Sequence, residues 1–306
     1  MNTPSFALAV VLLSCRTVLG AEPGPAADVK VTPLDDRVRV EVDGKPFTEY
    51  HFRGATRPYC YPVLAPDGLS LTREFPMKSP PGESHDHPHQ RALWFAHGNV
   101  NGVDFWNEGA NVGTRFPKGT IEHATLVETA GGPGGLIHAR NRWLGPEGKL
   151  VCTDDTVLRF RGTPDTRVID FEVTLHALPD TPLVLGDNKD GSMAIRVAQW
   201  MTLPGQANRQ FPGHGHFVAA NGERDDDAWG KRNDWCDLFA EHDGKIYGVA
   251  LFDHPQNPHH PTWWMARGYG LFAANPFAHN DIENLKQPGL GSITVPAGGR
   301  ARKSVV

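Results

Sequence analysis

The chain has 306 residues, enough to bury a sizeable hydrophobic core, and a formal net charge of −5 with neutral histidines. Because no block of lysine or arginine stands out, the composition argues against nucleic acid and anionic membrane surfaces as main partners. Fifteen histidines, eight tryptophans, 33 glycines and 26 prolines indicate many turns and a polar, aromatic site.

The first 21 residues have the pattern of a secretory signal. Residues 6–14 are mostly apolar, and residues 18–21 (VLGA) offer small side chains for cleavage. The sequence therefore predicts a signal peptide over residues 1–21 and a secreted or periplasmic protein. Residues 12–15 (LLSC) also resemble a bacterial lipobox, so lipoprotein anchoring through Cys15 is the alternative. No later stretch approaches the ~20 apolar residues of a membrane span.

Extended patterns dominate from residue 28 onward. Alternating apolar residues predict a strand over 38–42, and Asp43-Gly44 predicts the hairpin turn after it. Further strands are predicted over 29–31, 121–128, 136–143, 150–160, 168–175, 193–200, 245–252 and 292–295. No segment has a long helical period. The pattern predicts an all-β protein, a large antiparallel β-sandwich with long loops rich in histidine and tryptophan, as one domain over residues 22–306.

A histidine-rich segment, residues 84–91 (SHDHPHQR), is the strongest chemical signal. In an extended backbone alternate residues share one face, so His85, His87 and His89 are predicted to project to one side, with Arg91 next. Imidazoles at this spacing can bind a divalent metal such as zinc, manganese, iron or copper, and His260 is a candidate fourth ligand. The alternative is a polar loop in which the imidazoles bond to carbonyl and carboxylate groups.

A second segment, residues 253–261 (DHPQNPHHP), repeats the Asp-His-Pro motif and also leads into tryptophan. The two segments are either a degenerate repeat or two loops that converge on one cleft. The second interpretation would bring His254 and His260 to the site of the first segment.

The surroundings favour a carbohydrate ligand, because aromatic faces stack on sugar rings while polar side chains bond to hydroxyl groups. The predicted substrate-binding residues are Trp94, Trp106, Asn101, Trp263, Trp264, Arg267 and Asn275. The predicted catalytic residues are His87, His89, Arg91, His254, Asp104 and Lys189. These candidates predict an enzyme such as an epimerase, lyase or hydrolase with a small-molecule or glycan substrate. A non-catalytic glycan-binding module is the alternative, and the sequence leaves the oligomeric state open.

Three cysteines, Cys60, Cys152 and Cys236, follow the predicted signal. Their odd number excludes a fully paired disulfide framework, and no zinc-finger spacing occurs. The sequence does not select a pair.

Several blocks resemble a family of secreted bacterial proteins known as methane oxygenase PmoA-like. They are residues 57–63 (RPYCYPV), 86–95 (DHPHQRALWF), 98–106 (GNVNGVDFW) and the region from 253 to 277. The family name implies a copper or iron oxygenase, a third functional alternative. A more distant resemblance to galactose-mutarotase-like proteins implies a β-supersandwich. The resemblance also implies a strand after residues 295–299, whereas the chain ends at Val306, which predicts a shortened C-terminus.

Overall fold

A computed structural model describes residues 27–109, 115–206 and 212–305. These residues form antiparallel sheets and almost no helix, which confirms the predicted all-β, sandwich-like class. The predicted signal peptide and Cys15 lie outside the described residues.

The largest sheet has eight strands. In order across the sheet they are β1 (Val29–Pro33), β2 (Arg37–Val42), β3 (Lys45–His51), β4 (Tyr59–Cys60), β5 (Leu93–His97), β11 (Gly191–Arg196), β16 (Leu271–Asn275) and β15 (Trp263–Ala266).

A second sheet has five strands, in the order β18 (Arg300–Val305), β9 (Arg167–His176), β8 (Leu150–Gly162), β7 (Gly135–Leu144) and β6 (Thr120–Ala130). Two smaller sheets consist of β12 (Gly215–Ala219), β13 (Trp235–His242) and β14 (Lys245–Phe252), and of β10 (Leu183–Leu185) and β17 (Ile293–Val295). The only α-helix among the described residues is α1 (His279–Glu283), and three short 3-10 turns cover Pro146–Gly148, Gln199–Met201 and Asp225–Ala228.

Local alternation explains the strands at the core. In β2, Val38, Val40 and Val42 are buried and alternate with more exposed residues, as a half-buried strand requires. The turn at Asp43 and Gly44 has positive φ at both positions, which suits the tight hairpin predicted there.

The core lies between the eight-stranded and five-stranded sheets. Phe47 of β3 meets Phe160 of β8 edge to face at 6.1 Å, and Phe95 of β5 meets Trp143 of β7 at 6.1 Å. Such contacts bury large apolar areas, worth roughly 25 cal/mol per Å² removed from water. The strands β5, β11, β15 and β16 are buried on both faces, and Phe217 of β12 packs against Phe272 of β16 at 5.2 Å.

The C-terminal residues Arg300–Val305 form β18, which pairs with β9 at the edge of the five-stranded sheet. Cys60, Cys152 and Cys236 are all buried, and none is bonded to another cysteine. The predicted strand over 193–200 ends earlier, at Arg196, because Gln199–Met201 turns into a 3-10 conformation.

Candidate functional site

Polar residues that are distant in sequence meet at one end of the central strands of the eight-stranded sheet. Strand β5 is antiparallel to β11, and β11 is antiparallel to β16. The start of β5, the end of β11 and the turn between β15 and β16 therefore lie at the same end of these neighbouring strands. This places the loop before β5, Arg196 at the end of β11, and Tyr269 in that turn close together.

Asp86 is the centre of this arrangement. Its carboxylate accepts hydrogen bonds from Arg73, from Arg196 at 2.9 Å and from His87 Nδ1 at 2.7 Å. The side chains of Arg73 and Arg196 are only 2% and 3% exposed. Burial alone would raise the pKa of Asp86, but the His87 hydrogen bond and the charges of Arg196 and Arg73 outweigh it and hold that pKa far below its usual range. Asp86 is therefore an anion at neutral pH.

His87 has a backbone φ of 45° and an exposed imidazole. Its ring stacks on Tyr269 at 5.1 Å with an interplanar angle of 3°. The guanidinium of Arg196 also lies over the Tyr269 ring, 4.6 Å from its centre. A carboxylate only accepts hydrogen bonds, so the proton of neutral His87 is on Nδ1 and faces Asp86. The Nε2 atom then has a free lone pair, which no described residue occupies.

His89 is half-buried, and its ring centre lies 5.6 Å from that of His87. Burial lowers the pKa of His89 to about 3, and the charges of Arg57, His87 and Arg73 lower it further while Glu108 opposes them. The imidazole is therefore neutral in the free protein at physiological pH.

A second carboxylate, Glu108, binds Arg91 and Arg57 near His89. It accepts two hydrogen bonds from Arg91, at 3.1 and 3.0 Å, and one from Thr56 at 2.7 Å. Arg57 lies 3.4 Å from the same carboxylate and donates to the backbone oxygen of His89 at 3.3 Å. Burial lowers the pKa of Arg57 to about 10, which leaves the guanidinium charged at neutral pH.

The two clusters together are positively charged. Four guanidinium groups, on Arg57, Arg73, Arg91 and Arg196, face only two carboxylates. Every guanidinium has a carboxylate partner, but each carboxylate is shared by two arginines, so these six side chains carry a net positive charge. Glu83 near Arg73 and Asp104 near Arg57 offset part of that charge. The site has the electrostatics to attract an anionic group.

The predicted row of three imidazoles is wrong. The segment before Leu93 contains no strand, and the positive φ of His87 breaks the alternation of an extended chain. His85 instead stacks on Phe75 at 4.5 Å, while only His87 and His89 face each other.

The second histidine segment forms a separate network. The carboxylate of Asp253 is fully buried and binds Lys303 at 2.7 Å, Asn257 at 2.7 Å and His260 at 2.8 Å. His254 accepts a hydrogen bond from the backbone of the following turn. The described contacts of His254 and His260 stabilise this loop, and neither histidine contacts His87 or His89.

The predicted metal set is therefore not assembled. His85 and His260 have partners elsewhere, and within the described ranges no group of three or more His, Cys, Asp or Glu side chains is arranged to hold a metal ion.

The four predicted sugar-stacking tryptophans are core residues. Trp94, Trp106, Trp263 and Trp264 are at most 2% exposed, so none presents an aromatic face to a ligand. Their rings pack against other core side chains, such as Trp94 on Trp106 and Trp264 on Phe272.

Five other predicted site residues contact neighbouring loops or lie at the surface. Asp104 accepts a hydrogen bond from the backbone of Trp106 at 2.8 Å. Asn275 donates to two backbone oxygens at 2.9 Å each. Asn101 donates to the backbone oxygen of Pro182 and accepts a hydrogen bond from the backbone of Val184. These contacts shape loops. Lys189 is exposed, and its backbone donates to Asp281. Arg267 is half-buried over the ring of Trp229 at 4.6 Å.

The residues that complete the site were not predicted from the sequence. They are Arg57, Arg73, Asp86, Glu108 and Arg196. Asp86 lies next to His87, yet an ideal strand would place it on the opposite face. The only sequence signal for Arg57 is its position in the RPYCYPV block.

The fold and the site together define an all-β, sandwich-like protein with two histidines held among arginine–carboxylate clusters. The chain belongs to a family of unknown function, DUF6807, whose match covers residues 37–302. No curated protein and no solved structure matches the chain. Among the described residues no helix is long and apolar enough to cross a membrane.

Proposed function

We propose that this protein is a secreted carbohydrate-active enzyme that moves a proton on a sugar carrying a carboxylate. The observation that carries the proposal is the pairing of an oriented histidine, His87, with two arginine–carboxylate clusters whose summed charge is positive. Epimerisation and elimination next to a carboxylate both need a base and a means of stabilising negative charge.

His87 is suited to act as the base. Asp86 fixes its Nδ1 proton and stabilises the imidazolium that forms when Nε2 accepts a proton. Arg73 and Arg196 in turn hold Asp86 in place. Asp86 is thus a positioning residue, which acts through His87.

His89 is suited to bind a substrate oxygen as a neutral imidazole. Its low pKa of about 3 keeps it uncharged, so it can donate or accept a hydrogen bond without competing for the proton that His87 takes. A substrate carboxylate beside the arginine–carboxylate clusters would offset part of their excess positive charge. The same excess stabilises the negative charge that develops on the sugar when the proton leaves.

The test is a turnover assay on uronic acids and uronate-containing disaccharides, with neutral sugars alongside. We expect His87→Ala to lower kcat by about 10²–10⁴-fold, the usual contribution of one acid–base group. His138→Ala is the matched control, because His138 lies on the five-stranded sheet and bonds to Asp155. Absence of turnover on every sugar, or full activity of His87→Ala, would contradict the proposal.

A further inference from the structure

An open cavity of about 640 Å³ lies beside the candidate site. It is bounded by the chain around residues 69–83, the 3-10 turn Gln199–Met201, and the turn between β13 and β14. Its polar and aromatic lining includes Glu74, Trp200, His214, Glu241, His242 and Asp243. The volume falls within the range of about 300–1,000 Å³ that is typical of ligand sites.

A partly accessible tryptophan, Trp200, lines this cavity. It is half-buried, whereas the four tryptophans predicted to bind sugar are fully buried. It contacts His242 at 4.8 Å and Tyr247 at 5.9 Å, in both cases with the rings nearly perpendicular. An accessible indole fixed by its neighbours, with hydrogen-bonding side chains around it, is the combination that binds a sugar ring.

The cavity adjoins the candidate site at Gln199. This side chain lines the large cavity and also a small one of about 70 Å³ against Arg73, Asp86 and Tyr269. Gln199 Oε1 accepts a hydrogen bond from the backbone of Ser84 at 2.9 Å. Ser84 precedes Asp86 by only two residues, so the same loop borders both cavities.

The charge of the cavity differs from that of the histidine site. Glu241 and Asp243 are exposed carboxylates at its rim, and Glu83 uses its carboxylate to accept backbone hydrogen bonds from Glu74 and Phe75. Such a lining repels a second acidic group, while the arginine clusters attract one. The two regions therefore suit different sugar units.

We infer that the Trp200 cavity binds a neutral sugar unit, linked to the acidic unit that reacts at His87. The substrate class is then an oligosaccharide in which a uronate adjoins a neutral sugar. This inference rests on the proposed function, because it takes the reacting unit to lie at His87.

The test compares binding by calorimetry of free glucuronate, galacturonate and mannuronate with that of the same uronates linked to glucose. We expect at least one disaccharide to bind about tenfold more tightly than its free uronate, a difference of about 1.4 kcal/mol. Trp200→Ala should abolish that difference and leave the affinity for the free uronate unchanged. Trp200→Phe retains an aromatic face, so it should keep part of the difference in affinity between disaccharide and free uronate. Partial retention would show that the cavity is still folded.

The outcomes separate the two proposals. Binding and turnover of a free uronate, with no gain from the linked glucose or with the gain intact in Trp200→Ala, would overturn this inference alone. A lack of binding by every uronate and disaccharide would overturn the proposed function as well.

Discussion

At the scale of single residues, Asp86 organises the candidate site, because two buried arginines and His87 all bond to its carboxylate. Asp86→Asn removes the negative charge and leaves both guanidinium groups largely buried without an anion. We expect the free energy of unfolding to fall by about 3 kcal/mol, which urea denaturation followed by circular dichroism would measure.

The control for this change is Asp170→Asn, which removes an exposed ion pair with Arg161. An exposed pair contributes about 1 kcal/mol or less. If Asp86→Asn were as mild as Asp170→Asn, the two arginines would have to be solvated rather than paired with Asp86.

His89 should make the protein less stable in acid. Its pKa is about 3 in the folded protein, because of burial and the charges of Arg57, His87 and Arg73, with Glu108 opposing, and about 6.5 in the unfolded chain. Between these values the unfolded chain binds more protons, so the free energy of unfolding rises with pH. The contribution is fully present above about pH 6.5 and is lost as the pH falls toward about 3.

We therefore expect His89→Gln to flatten the loss of stability between about pH 6 and pH 4, by at most about 1.4 kcal/mol per pH unit. Urea denaturation at several pH values, with His138→Gln as the comparison, measures the slope. Equal slopes for His89→Gln and the unmodified protein would mean that His89 titrates normally in the folded state.

At the scale of elements, the edge strand β18 is attached to the loop after β14 by a buried ion pair. Lys303 Nζ lies 2.7 Å from Asp253, and both side chains are at most 4% exposed. Lys303→Met would leave the Asp253 carboxylate buried without its cation, although Asn257 and His260 still donate to it. We expect a loss of about 3–5 kcal/mol in the free energy of unfolding.

Arg302→Met provides the control on the same strand. Arg302 is exposed and bonds to Glu172 at 2.6 Å, a contact worth about 1 kcal/mol or less. Similar urea midpoints for the two variants would show that β18 contributes little through its buried lysine.

At the scale of the whole molecule, the three cysteines are distributed over three different sheets and stay unpaired. Burial raises the pKa of Cys60 and Cys236 to about 12 and that of Cys152 well above its usual value. We expect residues 22–306 to show no fast-reacting thiol when folded and all three when unfolded in guanidinium chloride. Titration with a thiol reagent measures both states, and fewer than three thiols after unfolding would reveal a disulfide.

Nine of the eighteen strands in the described residues could be predicted, because alternation is a local property of the chain. Residues 38–42, 121–128, 136–143, 150–160 and 168–175 all lie within observed strands. The exception over 193–200 is informative. The alternation continues past Arg196, but the chain turns there to bring Gln199 against the loop of Ser84.

The sequence by itself determined the all-β class and the position of one histidine-rich segment, since both depend on neighbouring residues. The site around that segment was decided by tertiary structure. Arg196 reaches Asp86 across 110 residues only because β11 lies beside β5 in the sheet. Strand order also decided which tryptophans are buried, and the left-handed backbone at His87 decided which histidines face each other. No local periodicity encodes these contacts, because they form between segments that meet only when the sheets assemble.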